Sequence, residues 1–476
     1  MAMPEKIMTR ARQNSRFTDP VKRAGAEYSP SVAVDNQEGV QENGRIAWLP
    51  VLLTVAALSF NGVLAIVNAH GPSLTITQVA LAEFGILAAV ALSVIAFGLR
   101  VEDAPPVGLG VAFLLLAIGL SFANGGFAIE ALRNVTIIVL FTLLGMRCNM
   151  PTIRAAFVAG VGLVVAVMLM EIASTELYAK IFSPFSYYQN TRGLGDIDQS
   201  DIGLFGNALG FEGRFSFGLF TTPRTSSIFI EQTSMANFAS VVAIYAVAMW
   251  DRIGWAERAL AVGFVLLALL SNNTRLGSTL AVLTLAGYWL YPRLPRAGLL
   301  LFPLVLLGLA TALSVHLGPS KEDDLAGRIG LSVDFLAKTD MAAVLGGRVW
   351  EAGRFVDSGY SYVLYSSSLA GAILLWLYVG LIIPFRSPEQ KRCAWATGVF
   401  LFVNLLIAGN AVFSTKVSAM MWLLAGFMRA GSFAPAAAPP RPRAVRRFGA
   451  GFSFPAHARA PSPLLTGGSM QDGLRR

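Results

Sequence analysis

Residues 320–365 read SKEDDLAGRIGLSVDFLAKTDMAAVLGGRVWEAGRFVDSGYSYVLY and concentrate charged side chains between two apolar parts of the chain. The segment ends in Asp357-Ser358-Gly359-Tyr360 and runs directly into GAILLWLYVGLII at 371–383. Charged side chains are costly in hydrocarbon, so this polar segment is predicted to lie in water between two membrane spans. Its charged residues are the first candidates for chemistry.

The composition indicates a polytopic membrane protein. Of the 476 residues, 55% are hydrophobic and 14% are charged, and the mean hydropathy is +0.60. A soluble domain could not bury so much apolar surface. The net charge of +9 is explained by cytoplasmic loops and anionic lipid headgroups, so membrane lipid is an expected partner and nucleic acid is not.

Cysteine and histidine give no sign of a cofactor. Cys148 and Cys393 are far apart near predicted helix ends, which favours neither a disulfide framework nor a metal site. The three histidines are scattered along the chain. No metal and no cofactor are therefore expected.

Apolar stretches of about 20 residues, enough to cross a hydrocarbon layer of roughly 30 Å, recur along the chain. Residues 1–45 and 431–476 lack such stretches and are predicted to be disordered cytoplasmic segments, the second rich in Pro and Arg. Residues 46–430 are predicted to form an all-α membrane domain. The predicted spans are 47–68, 75–99, 107–123, 129–146, 152–173, 232–250, 256–271, 277–291, 297–316, 359–384, 394–411 and 416–430.

The positive-inside bias sets the orientation. Basic residues in short connections fall on one side, which is predicted to be cytoplasmic, and an even number of spans places both termini there. The connections 174–231 and 317–358 are then long outer loops, and the first is predicted to consist of loop and turns because it is rich in Gly, Asn and Asp. The basic residues that set the orientation are Arg100, Arg147, Arg154, Arg252, Arg258, Arg293, Arg296, Arg386, Lys391 and Arg392.

Two polar patches lie at predicted outer helix ends. RTSSIFIE at 224–231 enters the sixth span with Arg224 and Glu231; charges this close to hydrocarbon need a partner or a polar cavity. An Arg224–Glu231 ion pair that anchors the helix is the alternative to a functional site.

The second patch, SNNTR at 271–275, is a very short hairpin. A guanidinium held there, that of Arg275, suits a phosphate at headgroup depth. The alternative is that Arg275 simply snorkels to the membrane surface.

The opening segment supplies the third patch. Arg348, Glu351, Arg354 and Asp357 recur every three residues with alternating sign, which on a helix gives ion pairs worth about 0.2–0.5 kcal/mol each. Such a surface ladder is one explanation. It does not account for the position of Asp357 directly before a span.

A weaker fourth patch consists of Arg133, near the outer end of the fourth span, and Lys416, at the outer start of the twelfth. Each is also explained as an anchor at a helix end. Together the four patches predict one outward-facing, arginine-rich constellation built from separated spans.

At these residues the chain resembles the Wzy-type polysaccharide polymerases and their O-antigen ligase relatives, which are multi-pass proteins of the bacterial inner membrane. The similarity rests on Arg224, Phe229 and Glu231 at the sixth span, on the 271–275 hairpin, and on Asp357-Ser358-Gly359-Tyr360 before YVLYSSSLAGAILL. It covers residues 47 to 430.

The resemblance implies a GT-C-like fold of about twelve helices with two long periplasmic loops. It implies a metal-independent glycosyltransferase that polymerises oligosaccharide repeat units, carried on undecaprenyl diphosphate, into exopolysaccharide or O-antigen. The expected partners are this lipid-linked oligosaccharide, a chain-length regulator and export machinery.

Two roles follow for the site. Fixed cations stabilise the departing diphosphate, and a general base accepts the proton of the attacking sugar hydroxyl. Asp357 is the first choice of base, followed by Glu351 and Glu231. The cations expected to stabilise the diphosphate are Arg275, a catalytic residue in this interpretation, with Arg224 and Arg348, followed by Arg328 and Arg354. Arg133, Lys416 and Tyr360 are the other residues expected at the substrate.

Two alternatives remain open. A ligase that transfers the glycan once to another acceptor would use the same arginines, but that branch carries a histidine within the large loop, whereas His316 stands only at its beginning. The chain also departs from the family pattern at Gln232, directly after Glu231, where the family often has a proline; this departure bears on the role of Glu231. A transporter for the lipid-linked glycan would place its charges near the membrane midplane, between repeated halves.

Overall fold

The computed structural model describes residues 45–193, 203–204, 208, 223–317, 325–355, 357–407 and 409–430. These residues form a helical bundle in which the described part contains no β-strand, as expected for an all-α protein. The predicted disordered segments, 1–45 apart from Arg45 and 431–476, lie outside the described residues. The α-helices of the described part are α1 (Trp48–His70), α2 (Ile76–Ala96), α3 (Ala104–Asn124), α4 (Ile129–Gly145), α5 (Met150–Ala173), α6 (Thr175–Phe182), α7 (Pro184–Arg192), α8 (Gln232–Met249), α9 (Trp255–Asn272), α10 (Arg275–Leu290), α11 (Arg296–Leu317), α12 (Leu325–Ala337), α13 (Met341–Val344), α14 (Gly359–Leu381), α15 (Pro388–Ile407) and α16 (Thr415–Arg429).

A long helix lies at the position of each predicted span. Within the described residues, eight helices are long and apolar enough to cross a membrane: α1, α2, α3, α5, α8, α9, α11 and α14, with α3 and α8 each extended by an adjoining turn. The chain is therefore a multi-pass membrane protein. Of the remaining long helices, α4, α10 and α16 have 17, 16 and 15 residues, and α15 starts with a charged turn.

Local capping explains where several of these helices begin. Asn149 accepts a hydrogen bond from the backbone N–H of Thr152 at the start of α5, where Pro151 occupies the first turn. At the start of α2, Gln78 Oε1 accepts from the backbone N–H of Thr75. Such caps satisfy backbone donors that have no partner within the helix.

Ion pairs connect the helices at one end of the bundle, where the short basic connections meet. We call this the basic end. Pairs between different helices align neighbouring ends, since each carboxylate holds a guanidinium from another part of the chain. The pairs are Arg147–Asp103, Arg154–Glu257 at 2.5 Å, Arg252–Glu389 at 3.2 Å and Arg392–Asp251 at 2.6 Å.

The core is built around α8 and α16, whose described side chains are almost all buried. α4 crosses α16 very closely. A Cβ on Gly145 would lie 2.0 Å from the carbonyl oxygen of Leu423, and a Cβ on Gly426 would lie 2.0 Å from that of Thr142. Only glycine permits this backbone approach. The crossing fixes the other ends of α4 and α16, which carry Arg133 and Lys416.

The first long loop is more regular than predicted. The stretch expected to be loop and turns contains α6 and α7, and α7 includes the Tyr187–Arg192 segment. Pro184 is the first residue of α7, and the fixed φ of proline suits the first turn of a helix. Within the helix, Thr191 Oγ1 donates a hydrogen bond to the carbonyl oxygen of Tyr187. Burial of the tyrosines against α1 outweighs the weak helix propensity of this stretch.

Candidate functional site

A charged pocket of about 560 Å³ opens at the end of the bundle opposite the basic end. Two acidic and three basic side chains share it, together with aromatic rings and amides. Half of the lining residues lie in the first turns of α2, α8, α14 and α16 or in α7. The lining residues are Phe60, Asn61, Ile76, Val79, Ala80, Glu83, Arg133, Asn134, Tyr187, Tyr188, Thr191, Arg192, Glu231, Ser234, Tyr362, Phe413, Ser414 and Lys416.

Glu231 is the centre of one cluster in the pocket. Its Oε2 lies 2.7 Å from the Nζ of Lys416 and accepts a hydrogen bond of 2.8 Å from Ser234 Oγ. Its Oε1 lies 3.7 Å from Arg192 Nη1. The Lys416 side chain is only 2% exposed and also approaches the carbonyl oxygen of Phe229 at 3.4 Å. Helices α7, α8 and α16 thus meet at one carboxylate.

A second cluster is centred on Glu83 of α2. Arg133 holds its carboxylate with two guanidinium nitrogens, at 2.6–3.0 Å, in the bidentate geometry that favours arginine over lysine. Thr415 Oγ1 donates to the same carboxylate. Next to Arg133, the side-chain amide of Asn134 donates to Tyr362 Oη at 2.9 Å.

The pocket also collects the positive ends of helices. It is lined by residues from the first turns of α2, α8 and α16, whose leading backbone N–H groups lack partners within the helix. Neither Glu231 nor Ser414, the residues that precede α8 and α16, caps its helix with a side-chain hydrogen bond to the backbone. Helix N-termini attract anions, so the backbone adds to the positive potential of the side chains.

The charges around Glu231 determine its protonation. Burial by itself would raise the pKa of this carboxyl group, but Lys416 and Arg192 favour the charged form, and together with the hydrogen bond from Ser234 they lower its pKa to about 2. Glu231 is therefore ionised at neutral pH. Burial raises the pKa of Tyr187 to about 12, so this hydroxyl stays protonated and donates to Asn61 Oδ1 at 3.0 Å.

The segment before Glu231 is held rigidly from behind the pocket. Glu171, buried in α5, accepts hydrogen bonds from the backbone N–H groups of Ser226 and Ser227 at 2.7–3.1 Å and from Ser226 Oγ at 3.2 Å. The backbone of Ile230 has a φ of 63°, which is unusual for a β-branched residue. Strain of this kind persists only where surrounding contacts enforce it, and here it directs the chain into Glu231.

The structure joins the first two predicted patches. Arg224 is buried and its guanidinium donates to the carbonyl oxygen of Asn272 at 2.8 Å and to Thr274 Oγ1 at 3.1 Å. Asn272 in turn donates to the carbonyl oxygens of Thr225 and Gln232. Arg224 therefore braces the 271–274 hairpin against the start of α8. Glu231 pairs with Lys416 and Arg192, so the proposed Arg224–Glu231 ion pair is not formed.

Three of the predicted site residues line the pocket: Arg133, Glu231 and Lys416. They come from α4, from the residue before α8 and from α16. Arg275 is the first residue of α10, and its side chain lies outside what the structure describes.

The predicted residues of the polar segment lie elsewhere. Glu351 pairs with Arg348 at 3.5 Å and with Arg354 at 3.2 Å, so the ladder is present, and Arg348 also pairs with Asp340 at 2.5 Å. All of these side chains are partly or largely exposed, and none lines the pocket.

The remaining three predicted residues are also absent from the pocket lining. Asp357 is exposed. Tyr360, in α14, is largely buried and its hydroxyl finds no hydrogen-bond partner among the described residues. Arg328 lies in α12 and is partly buried. The predicted single constellation is therefore divided, and the opening segment contributes none of its charges to the pocket.

Sequence reasoning missed Glu83, Arg192 and Glu171 as members of the site. Two signals were present: Glu83 and Glu171 are carboxylates within apolar helices, and such residues are rarely without a function. Arg192 gave no comparable signal, because its place depends on the fold of α7.

Neither a protein-family model, nor a curated protein, nor a solved structure gives a significant match to this chain. The chemistry of the pocket is therefore the basis on which a function can be proposed.

Proposed function

We propose that this protein is a membrane-embedded glycosyltransferase that polymerises oligosaccharide repeat units carried on undecaprenyl diphosphate, in the manner of the Wzy-type polymerases. The observation that carries the proposal is the pocket in which Arg133, Arg192 and Lys416 meet several helix N-termini. This combination suits a multiply charged anion at membrane depth, such as a lipid diphosphate.

The proposed topology follows the helices. All twelve long helices would cross the membrane in a GT-C-like arrangement, with both termini in the cytoplasm. The basic end then faces the cytoplasm, in agreement with the positive-inside rule. The pocket would open at the outer face of the bacterial inner membrane, where the lipid-linked substrate presents its glycan.

In the proposed reaction, a sugar hydroxyl of one lipid-linked unit attacks the anomeric carbon of the growing glycan. The new glycosidic C–O bond forms as the C–O bond to the diphosphate breaks, and undecaprenyl diphosphate departs with the electron pair. Lys416, Arg192 and Arg133 would stabilise the charge that develops on the diphosphate, a contribution of about 3–4 kcal/mol for one well-placed donor.

The hydroxyl proton would pass to Glu231. With Lys416 and Arg192 as partners, this carboxylate has a low pKa and is a weak base. A diphosphate that binds the same two cations would take them away from Glu231. The carboxylate is only about 30% exposed, and without its cationic partners its affinity for a proton rises. Glu231 would thus become an effective base only when the donor is bound.

The test is the product made from lipid-linked repeat units by the purified full-length protein in lipid nanodiscs. Long polymer from the wild type, and only single repeats from Lys416→Met, would support the proposal. The matched control is Arg354→Met, which removes an exposed cation outside the pocket and should leave polymer length unchanged. Transfer of a single glycan to another acceptor would instead identify a ligase, and absence of any transfer by the wild type would refute the proposal.

A further inference from the structure

A second cavity lies beside the charged pocket and has the opposite character. It is a groove of about 330 Å³ between the last turns of α3 and the start of α4. We call it the α3–α4 groove. Its lining is almost wholly apolar, and the residues are Leu114, Ala117, Ile118, Ser121, Phe122, Gly126, Phe127, Ala128, Ile129 and Leu132.

The side chains that line the α3–α4 groove offer a ligand no free hydrogen-bond donor. Ser121 is its one polar side chain, and its hydroxyl donates to the carbonyl oxygen of Ala117 at 2.6 Å and accepts from the backbone N–H of Ala128 at 2.9 Å. The one donor of the hydroxyl and one of its two acceptor sites are therefore used within the protein. A sugar or phosphate in this groove would lose its hydrogen bonds to water without replacement, so a hydrocarbon ligand fits best.

The length of the groove along α3 fits within one leaflet of a bilayer. Leu114 and Phe122 are eight positions apart on α3, which corresponds to about 12 Å along a helix, less than half of a hydrocarbon layer of roughly 30 Å. Phe122 and Phe127 are 85% and 81% exposed at its outer end. At the same level, Trp350 Nε1 donates to the carbonyl oxygen of Asn124, and tryptophan is typical of the membrane interface.

The groove and the charged pocket adjoin each other on α4. Leu132 lines the groove and its neighbour Arg133 lines the pocket, so the two cavities share one turn of helix. Arg133 binds Glu83 but its side chain remains about half-exposed, within reach of an anion. A single molecule with an anionic group in the pocket could therefore place its hydrocarbon chain in the groove.

We propose that the α3–α4 groove binds the hydrocarbon chain of the lipid diphosphate whose anionic group occupies the charged pocket. The inference rests on the proposed function and adds to it a site for the lipid carrier. It assigns recognition of the chain to α3 and α4, away from Glu231 and Lys416. Substrates with the same diphosphate but no long chain would lack this contact.

The experiment compares two ligands and two matched variants of the full-length protein in nanodiscs. Undecaprenyl diphosphate probes both cavities, and inorganic pyrophosphate probes the pocket alone. Ile118→Trp fills the groove, whereas Leu115→Trp adds the same ring to a lipid-facing position of α3 that does not line it; the two side chains are 46% and 64% exposed. Leu132→Trp fills the groove from α4 and replaces Ile118→Trp in the experiment if that variant fails to fold.

Filling the groove should weaken binding of undecaprenyl diphosphate by about tenfold or more and leave binding of pyrophosphate unchanged, while Leu115→Trp should affect neither. Equal affinity of both tryptophan variants for undecaprenyl diphosphate would overturn the assignment of the groove and leave the proposed function intact. Equally effective competition by phosphatidylglycerol would show a general phospholipid site and overturn it as well. If the wild type binds neither probe, the proposed function fails and the inference fails with it.

Discussion

The Nζ of Lys416 lies 2.7 Å from Oε2 of Glu231, and this pair joins the first turn of α16 to the residue that precedes α8. The Lys416 side chain is 2% exposed and that of Glu231 is 30% exposed, so the ammonium group depends on Glu231 as its ionic partner. The pair lies in the pocket, whereas Asp357, the carboxylate that the sequence favoured as base, is exposed outside it.

The first prediction separates these two carboxylates. Glu231→Gln should lower polymer formation by about 10²–10⁴-fold, the usual contribution of a general base, because the amide cannot accept the hydroxyl proton. Asp357→Asn should keep polymer length and yield within about twofold of the wild type. Both are measured on lipid-linked repeats with equal amounts of folded protein. If Asp357→Asn is inactive and Glu231→Gln is active, the general base is Asp357, in the polar segment 320–365, and not Glu231.

The second prediction concerns the geometry of Arg133. Arg133→Lys keeps the positive charge but removes the bidentate contact with Glu83, because an ammonium group cannot match both carboxylate oxygens. We expect polymer formation to fall about tenfold or more, a loss of at least about 1.4 kcal/mol of transition-state stabilisation. Arg354→Lys is the matched control on the surface ladder and should be neutral. Equal activity of the two variants would show that Arg133 acts only as a charge.

The third prediction concerns pH. The pKa of Glu231 is lowered to about 2 from an ordinary value of 4.5, so its folded state binds the proton more weakly than the unfolded chain does. The resulting stabilisation is complete above the ordinary pKa and is lost as the pH falls through the folded value. The difference in unfolding temperature between the wild type and Glu231→Gln should stay constant from about pH 8 to pH 5 and shrink between about pH 4.5 and pH 3.

The measurement is thermal unfolding of both proteins in the same detergent across this range. Glu176→Gln, the same replacement at an exposed position of α6, is measured alongside as the control. A difference that disappears already near neutral pH would mean that the Lys416–Glu231 pair does not hold the carboxylate in its charged form.

The long apolar helices could be predicted from sequence because hydrocarbon imposes a length and a composition on every helix that crosses it. Placement of Glu231 and Lys416 at helix ends could be predicted for the same reason, since charges collect where apolar helices begin. The partners of Arg348 and Asp357 could not. Their segment lies in water, where charged residues are tolerated in many positions and short ion pairs such as Arg354–Glu351 satisfy them locally.

Other parts of the site depend on three-dimensional packing alone. The close crossing at Gly145 and Gly426 packs α4 against α16, and Arg133 and Lys416 lie toward the other ends of these two helices. Small residues occur in many helices without such a crossing. Arg192 reaches Glu231 because α7 folds back against α1 and α2. A single sequence contains no measure of these distances, so Arg192 could be seen as an outer basic residue and not as part of the site.

The last prediction concerns Glu171, which lies behind the pocket and does not line it. Its carboxylate accepts from the backbone N–H groups of Ser226 and Ser227, so Glu171→Ala would leave two buried donors unpaired. Each unpaired group costs about 1–3 kcal/mol, and we expect a loss of about 2–5 kcal/mol of stability. Glu171→Gln keeps one acceptor oxygen and should lose less. Glu176→Ala, at an exposed position on the adjoining α6, is the control and should be neutral.

The activity of these variants distinguishes positioning from simple stability. Glu171 holds the segment that ends at the strained residue Ile230 and at Glu231, so Glu171→Gln should lower the rate of polymer formation even at temperatures where it remains fully folded. Its apparent affinity for pyrophosphate should change little, since Lys416, Arg192 and Arg133 are retained. A variant with lower stability and a normal rate in the folded protein would assign Glu171 a structural role only, and the bracing of Glu231 would then not contribute to catalysis.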